Sequence, residues 1–319
     1  MTDMKKARIL FMGTPDFAVP TLNALIDGGY NVVGVVTQPD KPFGRGYALK
    51  PPPVKEAAIE KGIAVYQPES LKKVYFEQTL NELCPDAIIV VAYGKILYPY
   101  IIRNPKFGCI NVHGSILPEY RGAAPMQRAI IEGKKETGVT IMKMDNGLDT
   151  GDMMYVARCP IEENDNFEII HDRLAALGAD ALLHTLELIG RDEIVLKKQD
   201  ESLSTYAAKI ENEDCSLDFT RSARELHDQI RGLSPFPLSL CRHRDKRLKV
   251  ISSTVVDDKK RAGEAGTVLS ASNGKIEIAC GEGILAITAL QPEGKKRMNA
   301  SDFINGRGIA VGEILSEFK

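Results

Sequence analysis

Within residues 86–93, DAIIVVAY, the stretch 87–92 is apolar on both faces of the strand it would form. A strand of this kind is covered on both sides, as in the interior of a parallel sheet, whereas a half-solvated antiparallel strand alternates. Parallel neighbours need crossover connections, so this one run calls for strands alternating with helices. The flanking sequence supplies them. ARILFM (7–12) reads as a buried strand, with Gly13-Thr14-Pro15-Asp16 as a turn whose Asp16 can cap a helix over 17–27. Gly28-Gly29 ends that helix, and NVVGVVT (31–37) is β-branched and strand-like. Further helices are predicted over 54–61, 70–83, 123–132 and 166–190, and further strands over 64–66, 108–113 and 138–144, the last able to pair with 152–161. The fold class is therefore α/β: a doubly wound, mostly parallel, Rossmann-like sheet over residues 1–190.

A polar stretch, 191–208, reads as a linker. Beyond it, one helix is predicted over 221–232, then five short strands at 238–243, 247–256, 265–271, 275–280 and 284–290. That spacing suggests that 209–319 forms a small C-terminal β-barrel of the oligonucleotide/oligosaccharide-binding (OB-like) kind. The 319 residues carry a formal net charge of −2, with 18 Lys and Arg against 16 Asp and Glu in residues 206–319. Such a balance favours neither a nucleic acid nor a membrane partner by itself. The six cysteines show no CxxC or zinc-ligand spacing, and no apolar run is long enough to span a membrane. A reduced, cytoplasmic protein without a metal is expected.

Two nucleotide motifs are missing. Gly13 stands alone after the first strand, so there is no GxGxxG fingerprint, and no GxxxxGK[ST] occurs. The candidate chemistry lies elsewhere. Asn111 and His113 sit two apart on a predicted strand, so their side chains leave one face at its C-terminal end, where open α/β sheets bind ligands. Polar residues at strand ends also often serve only to bond neighbouring backbone. Asp145–Asp152 follows the strand 138–144; alone it reads as a polar turn, with Gly147 and Gly151 supplying positive φ. Beside Asn111 and His113 it offers an acid that can hold a histidine tautomer and favour its charged form.

Asn111, His113, the Ser115-Ile116-Leu117-Pro118 loop and Asp149 in Gly147-Leu148-Asp149-Thr150-Gly151 together resemble the folate-dependent formyltransferase family. The segments 11–20, 35–46, 110–130, 137–153 and 290–298 extend the resemblance along nearly the whole chain. It implies 10-formyltetrahydrofolate as formyl donor, tetrahydrofolate as product and no metal. It implies Asn111, His113 and Asp149 as catalytic residues: Asn111 for the oxyanion, His113 for electrophilic help and proton transfer, Asp149 for raising the basicity of His113 and relaying protons. Ser115, Ile116, Leu117 and Pro118 should border the folate, and backbone around Val91, Tyr93, Gly94 and Leu97 should line the pterin pocket.

The resemblance also implies initiator methionyl-tRNA as acceptor, for translation initiation. Lys41, Arg45 and Lys50 in the Gly/Pro-rich stretch 38–53, with Lys209 and Arg307, are its expected contacts. Composition alone leaves that stretch a solvated surface loop. Arg242, Arg244, Lys246, Arg247 and Lys249, then Lys295, Lys296 and Arg297, are further cations, though alternation on a strand would split the first group between two faces. A monomer is expected. Two other readings stay open: formyl transfer to glycinamide ribonucleotide or a sugar amine, which would not need the Gly44-Arg45-Gly46 loop or the barrel, and a non-catalytic RNA-binding protein, which would have no use for Asn111, His113 and Asp149 together.

Overall fold

The structure is a computed structural model and describes residues 2–43 and 48–318. The chain divides into two compact units. One comprises residues 1–122, 136–159 and 171–206; the other comprises 123–135, 160–170 and 207–319.

The elements of the first half run β1 (Ile9–Gly13), α1 (Val19–Asp27), β2 (Val32–Val36), β3 (Lys41–Phe43), β4 (Ala48–Lys50), α2 (Pro53–Glu60), β5 (Val65–Tyr66), α3 (Lys73–Leu83), β6 (Ala87–Val91), α4 (Pro99–Ile102) and β7 (Cys109–His113). There follow β8 (Arg121–Gly122), α5 (Pro125–Ile131), β9 (Glu136–Lys143), β10 (Met153–Pro160) and the long α6 (Phe167–Arg191). Seven strands form the main sheet in the order β10-β9-β7-β6-β1-β2-β5. Pairing is parallel from β7 through β5, and β9 runs antiparallel to β7. From β1 the chain builds outward to β2 and β5, then returns to β6 and β7 on the other side, so the order reverses between β1 and β6. Ligands of open α/β sheets bind at the carboxyl ends beside such a reversal. β1, β6 and β7 are buried at every residue, for β6 as its doubly apolar run predicted.

Two local expectations change. Asp16 is not a helix cap. It starts a short 3-10 turn, Asp16–Ala18, with Pro15 before it, and the helix proper begins at Val19. The 38–53 stretch is not a plain loop, because β3 and β4 pair antiparallel, Lys41 opposite Lys50. Its tip, including Gly44, Arg45 and Gly46, lies outside the described residues.

The chain continues with β11 (Tyr206–Ala207), at the boundary, and the second unit then has α7 (Ala223–Gly232), β12 (Ser239–His243), β13 (Lys246–Asp257), β14 (Val268–Ser272), β15 (Lys275–Ala279), β16 (Ile284–Pro292), β17 (Met298–Asn299), α8 (Ala300–Asn305) and β18 (Ser316–Glu317). Five strands match the predicted ones; β17 and β18, two residues each, complete a seven-stranded antiparallel sheet. The segment 312–317 curls this sheet closed. It bonds to β12 through β18 and to the start of β14 through the Thr267–Ile314 bridge. Inside lie Leu217, Phe219, Val250, Ile276, Ile278 and Ile287, among others.

α7 plugs this sheet with Leu226 and Ile230. Ser222 and Glu225 form a reciprocal capping box at its start, worth about 1 kcal/mol. Its other side is polar yet buried: Asp228 and Arg231 pair at 2.7 Å, and Arg231 also donates to the Asp165 carbonyl at 2.9 Å.

Candidate active site

β7 positions the first two residues by strand alternation. Val112 turns to α6, where a Cβ on Gly178 would come within 2.8 Å of the valine methyl. Asn111 and His113 therefore turn to the opposite face, at the carboxyl end of the strand. Both are nearly buried, at 8% and 6% exposure. The Asn111 side-chain amide makes no hydrogen bond to any described residue, so its two N–H donors stay available for a ligand.

His113 is different. Its Nε2 lies 3.0 Å from the Tyr120 carbonyl, which can only accept. Nε2 therefore carries a proton, and Nδ1 is the nitrogen left for chemistry. Asp149 Oδ2 stands 3.7 Å from Nδ1. That is too long for a direct hydrogen bond, but a third atom off the line between them can bond to both. The Gly122 N–H donates to the same Asp149 oxygen at 2.9 Å.

The turn that carries Asp149 does not work as the sequence suggested. Neither Gly147 nor Gly151 has positive φ; Asp149 does, at +54°. The glycines are needed for close approach instead: a Cβ on Gly151 would lie 1.9 Å from the Lys143 carbonyl oxygen. Tyr120 is also left-handed, at φ +61°, and its N–H is held by Thr205 Oγ1 at 2.8 Å.

The expected folate residues divide. Ser115 is fully buried, and its hydroxyl donates to the Glu119 carbonyl at 2.7 Å. Thr140, on β9, staples the loop: its hydroxyl donates to the Ser115 carbonyl at 2.7 Å and accepts from the Leu117 N–H at 3.0 Å. Leu117 packs on Met142 and Met153, Ile116 is half-buried, and the Leu117–Pro118 peptide is cis. Val91 ends β6, and Gly94 at φ +82° lets the chain turn just beyond it. Tyr93 and Leu97 point their side chains into the core with Leu10 and Met12, and burial pushes the Tyr93 phenol up to about 12. The Tyr93 carbonyl accepts from Thr14 Oγ1 at 2.9 Å and Gln38 Nε2 at 3.0 Å. Thr14 and Gln38 in turn line a cleft of about 210 Å³ with Lys41 and Lys50. Two of the expected tRNA contacts thus lie on the same cleft as the residues that hold the β6 turn. Among the described residues no group of three His, Cys, Asp or Glu side chains is placed to hold a metal ion.

Comparison with known proteins bears on this geometry. The family model described as Formyl transferase matches residues 5–186, and that of its C-terminal domain matches residues 209–308.

This chain belongs to the formyl transferase family.

It is 46% identical over 310 residues to a protein named methionyl-tRNA formyltransferase from Pelotomaculum thermopropionicum, covering 97% of this chain and 99% of that one. It is 46% identical over 312 residues to one of the same name from Pelobacter propionicus, covering 98% of this chain and 97% of that one. The solved structure of WlaRD, a sugar 3N-formyl transferase crystallised in the presence of dTDP and 5-N-formyl-THF, shares the fold with a TM-score of 0.68. That likeness covers 92% of this chain and 100% of the other, at 21% identity.

In this formyl transferase, the second unit carries cations on one outward face. Cys241 pairs with Leu248, and both are buried. Their neighbours Arg242 and Arg247, which pair with each other, and Lys249 therefore face outward together. The split expected from alternation sets Lys246, which pairs with the buried His243, apart from them, and Arg244 sits in the turn, held by Glu313. Lys209 lies 3.7 Å from Glu211, and Arg307 is exposed just past α8. Sequence reasoning missed Thr140, Tyr120, Arg121 and Gln199. Thr140 had a signal, as the one hydroxyl inside the apolar run 139–142; Gln199, in a polar stretch, had none.

Proposed function

We propose that this formyl transferase moves the formyl group of 10-formyltetrahydrofolate to the α-amino group of methionine on initiator methionyl-tRNA, for translation initiation. The acceptor rests on one observation: relatives named for it match over nearly the full length of both chains. The site chemistry supports the reaction type. The amine attacks the formyl carbon, a C–N bond forms, and the carbonyl oxygen gains negative charge. The free amide of Asn111 donates to that oxygen. The amine then gives up a proton through His113 Nδ1 and Asp149, N10 of the folate receives one, and its bond to the formyl carbon breaks. An α-amino group has a pKa of about 8, and the adjacent ester lowers it, so the attacking amine needs no strong base. Asn111 is neutral at every accessible pH, and serves only as a donor.

Around this centre, Ser115–Pro118 and the backbone at Val91, Tyr93, Gly94 and Leu97 form the folate side. Lys41, Arg45 and Lys50 meet the acceptor arm, and Lys209 and Arg307 contact tRNA phosphates. We place the enzyme in the cytoplasm as a monomer. Its free thiols, of which Cys84 alone is exposed, suit a reducing compartment, and among the described residues no helix is long and apolar enough to cross a membrane.

The test is formyl transfer from 10-formyltetrahydrofolate to methionyl-tRNA, glycinamide ribonucleotide and free methionine. Transfer to methionyl-tRNA alone is expected, with Asn111→Ala slowing kcat by about 10²–10³ and His113→Ala abolishing it. Transfer to a small amine instead would refute the acceptor; full activity in both variants would refute the site.

A further inference from the structure

A connected polar network lies behind the Asp149 turn, centred on Gln199 in the stretch read from sequence as a linker. Gln199 Nε2 donates to the carbonyls of Asp149 and Gly151, both at 2.8 Å. Gln199 Oε1 accepts from Arg121 Nε at 3.0 Å and Nη2 at 2.8 Å. Arg121 also lays Nη1 and Nη2 on the two carboxylate oxygens of Glu201, each at 2.8 Å. A guanidinium has only donors, so the oxygen of Gln199 must face it and the amide nitrogen must face the two carbonyls. The amide has one orientation, and Arg121 sets it.

This network holds a backbone that needs holding. Asp149 lies at φ +54°, where an L-residue gives up about 1–2 kcal/mol, and such residues persist only when their surroundings over-determine them. The Gly122 N–H fixes the carboxylate end, and Gln199 fixes the main chain on both sides of Thr150.

We propose that Gln199, aimed by Arg121 and Glu201, is a positioning residue for formyl transfer: it holds the Asp149 turn so that the carboxylate stands beside His113 Nδ1. The proposal rests on the reading that His113 and Asp149 carry the proton. Gln199 touches no reacting atom. Its effect runs through placement, where an error of about 1 Å costs on the order of 10²-fold in rate.

Gln199→Glu keeps the shape and the bonds from Arg121 but replaces the donor by an acceptor facing two carbonyls. Made in the full chain and assayed with 10-formyltetrahydrofolate and methionyl-tRNA, it is expected to lower kcat by about 10- to 100-fold. KM for both substrates should stay within about threefold, and the protein should remain folded at the assay temperature; a purely structural role would move Tm and leave kcat. The same change in an Asp149→Asn background, read in single turnovers, should cost no more than about twofold further, because residues acting as a unit are non-additive. A wild-type kcat in Gln199→Glu overturns the proposal, as does a full additional loss on top of Asp149→Asn. Wild-type kcat in Asp149→Asn itself sinks the proton-path reading instead, whatever Gln199 does. If Gln199→Glu fails to fold, Arg121→Lys, which removes the paired bonds that aim the amide, decides by the same readouts.

Discussion

Tyr120 fixes the tautomer of His113. Its carbonyl, presented by a left-handed backbone, accepts from Nε2 at 3.0 Å, which leaves Nδ1 toward Asp149. Two residues on, the Gly122 N–H holds Asp149 at 2.9 Å. One tripeptide thus orients both partners of the pair, and the Arg121 side chain between them reaches Gln199.

The Asp149 turn should tolerate no side chain at position 151. A Cβ there would meet the Lys143 carbonyl oxygen at 1.9 Å, and backbone cannot swing away as a side chain can. Gly151→Ala is expected to cut kcat by about 10²-fold through displacement of Asp149. The check is steady-state kinetics with circular dichroism to show that the protein is folded; a native kcat would mean that the turn has slack.

Acid stability should depend on Glu313. Burial opposes its ionisation, but hydrogen bonds from His243, Arg244 and the Ala310 N–H outweigh this and bring its carboxyl from 4.5 down to about 2. A carboxylate whose pKa is lower in the native state stabilises that state above its unfolded value and loses the effect as pH falls. The contribution is therefore complete above about pH 4.5 and disappears toward pH 2. Glu313→Gln should lower Tm at neutral pH and flatten the Tm-against-pH curve across that window.

His227 should act at milder pH. It is buried between Ser253 Oγ at 3.0 Å and the Glu163 carbonyl at 3.2 Å. Burial lowers its pKa from the ordinary 6.5, and the Glu163 carbonyl and the nearby Asp228 only partly offset this. The unfolded chain takes up a proton that the native state resists, so stability falls as pH drops below about 6.5 and levels off beneath the native value. His227→Gln should remove that slope; an unchanged Tm profile between pH 5 and 7 would rule the assignment out.

Salt dependence tests the outward face of β12 and β13. If Arg242, Arg247 and Lys249 lie on tRNA phosphates, each replacement by Gln should reduce the log–log salt slope of binding by about 0.9 for a duplex contact. Filter binding of methionyl-tRNA over a range of salt measures this. Equal slopes in the variant and the parent chain would remove that face from the interface.

What could be read from sequence follows from how local each signal is. Asn111 and His113 were legible because two positions on one strand fix a shared face, and the buried strands β1 and β6 announced themselves by composition. The antiparallel addition of β9 left no mark, since its run of apolar residues fits either direction. The barrel over 209–319 was legible from five evenly spaced strands, but β18, which completes it, is only two residues long, too short to alternate. The clamp on Asp149 joins Arg121 to Gln199 across 78 residues, and no periodicity reports a contact at that separation. In the Asp149 turn sequence shows the glycines but not their role: Gly151 makes room for the Lys143 carbonyl and Gly147 for the Thr150 hydroxyl, while Asp149 takes the positive φ.

The two compact units are woven from alternating stretches of chain, so that the polypeptide passes from one to the other five times between residue 122 and residue 207. α5, though encoded inside the catalytic half, buries Met126, Ala129 and Ile130 and approaches α7 so closely that a Cβ on Gly232 would lie 2.7 Å from Ile131. No single breakpoint in the gene therefore separates the two units. A C-terminal piece cut at residue 207 would leave α7 without the stretch 123–135, and so without the Ile131 side chain for which Gly232 makes room.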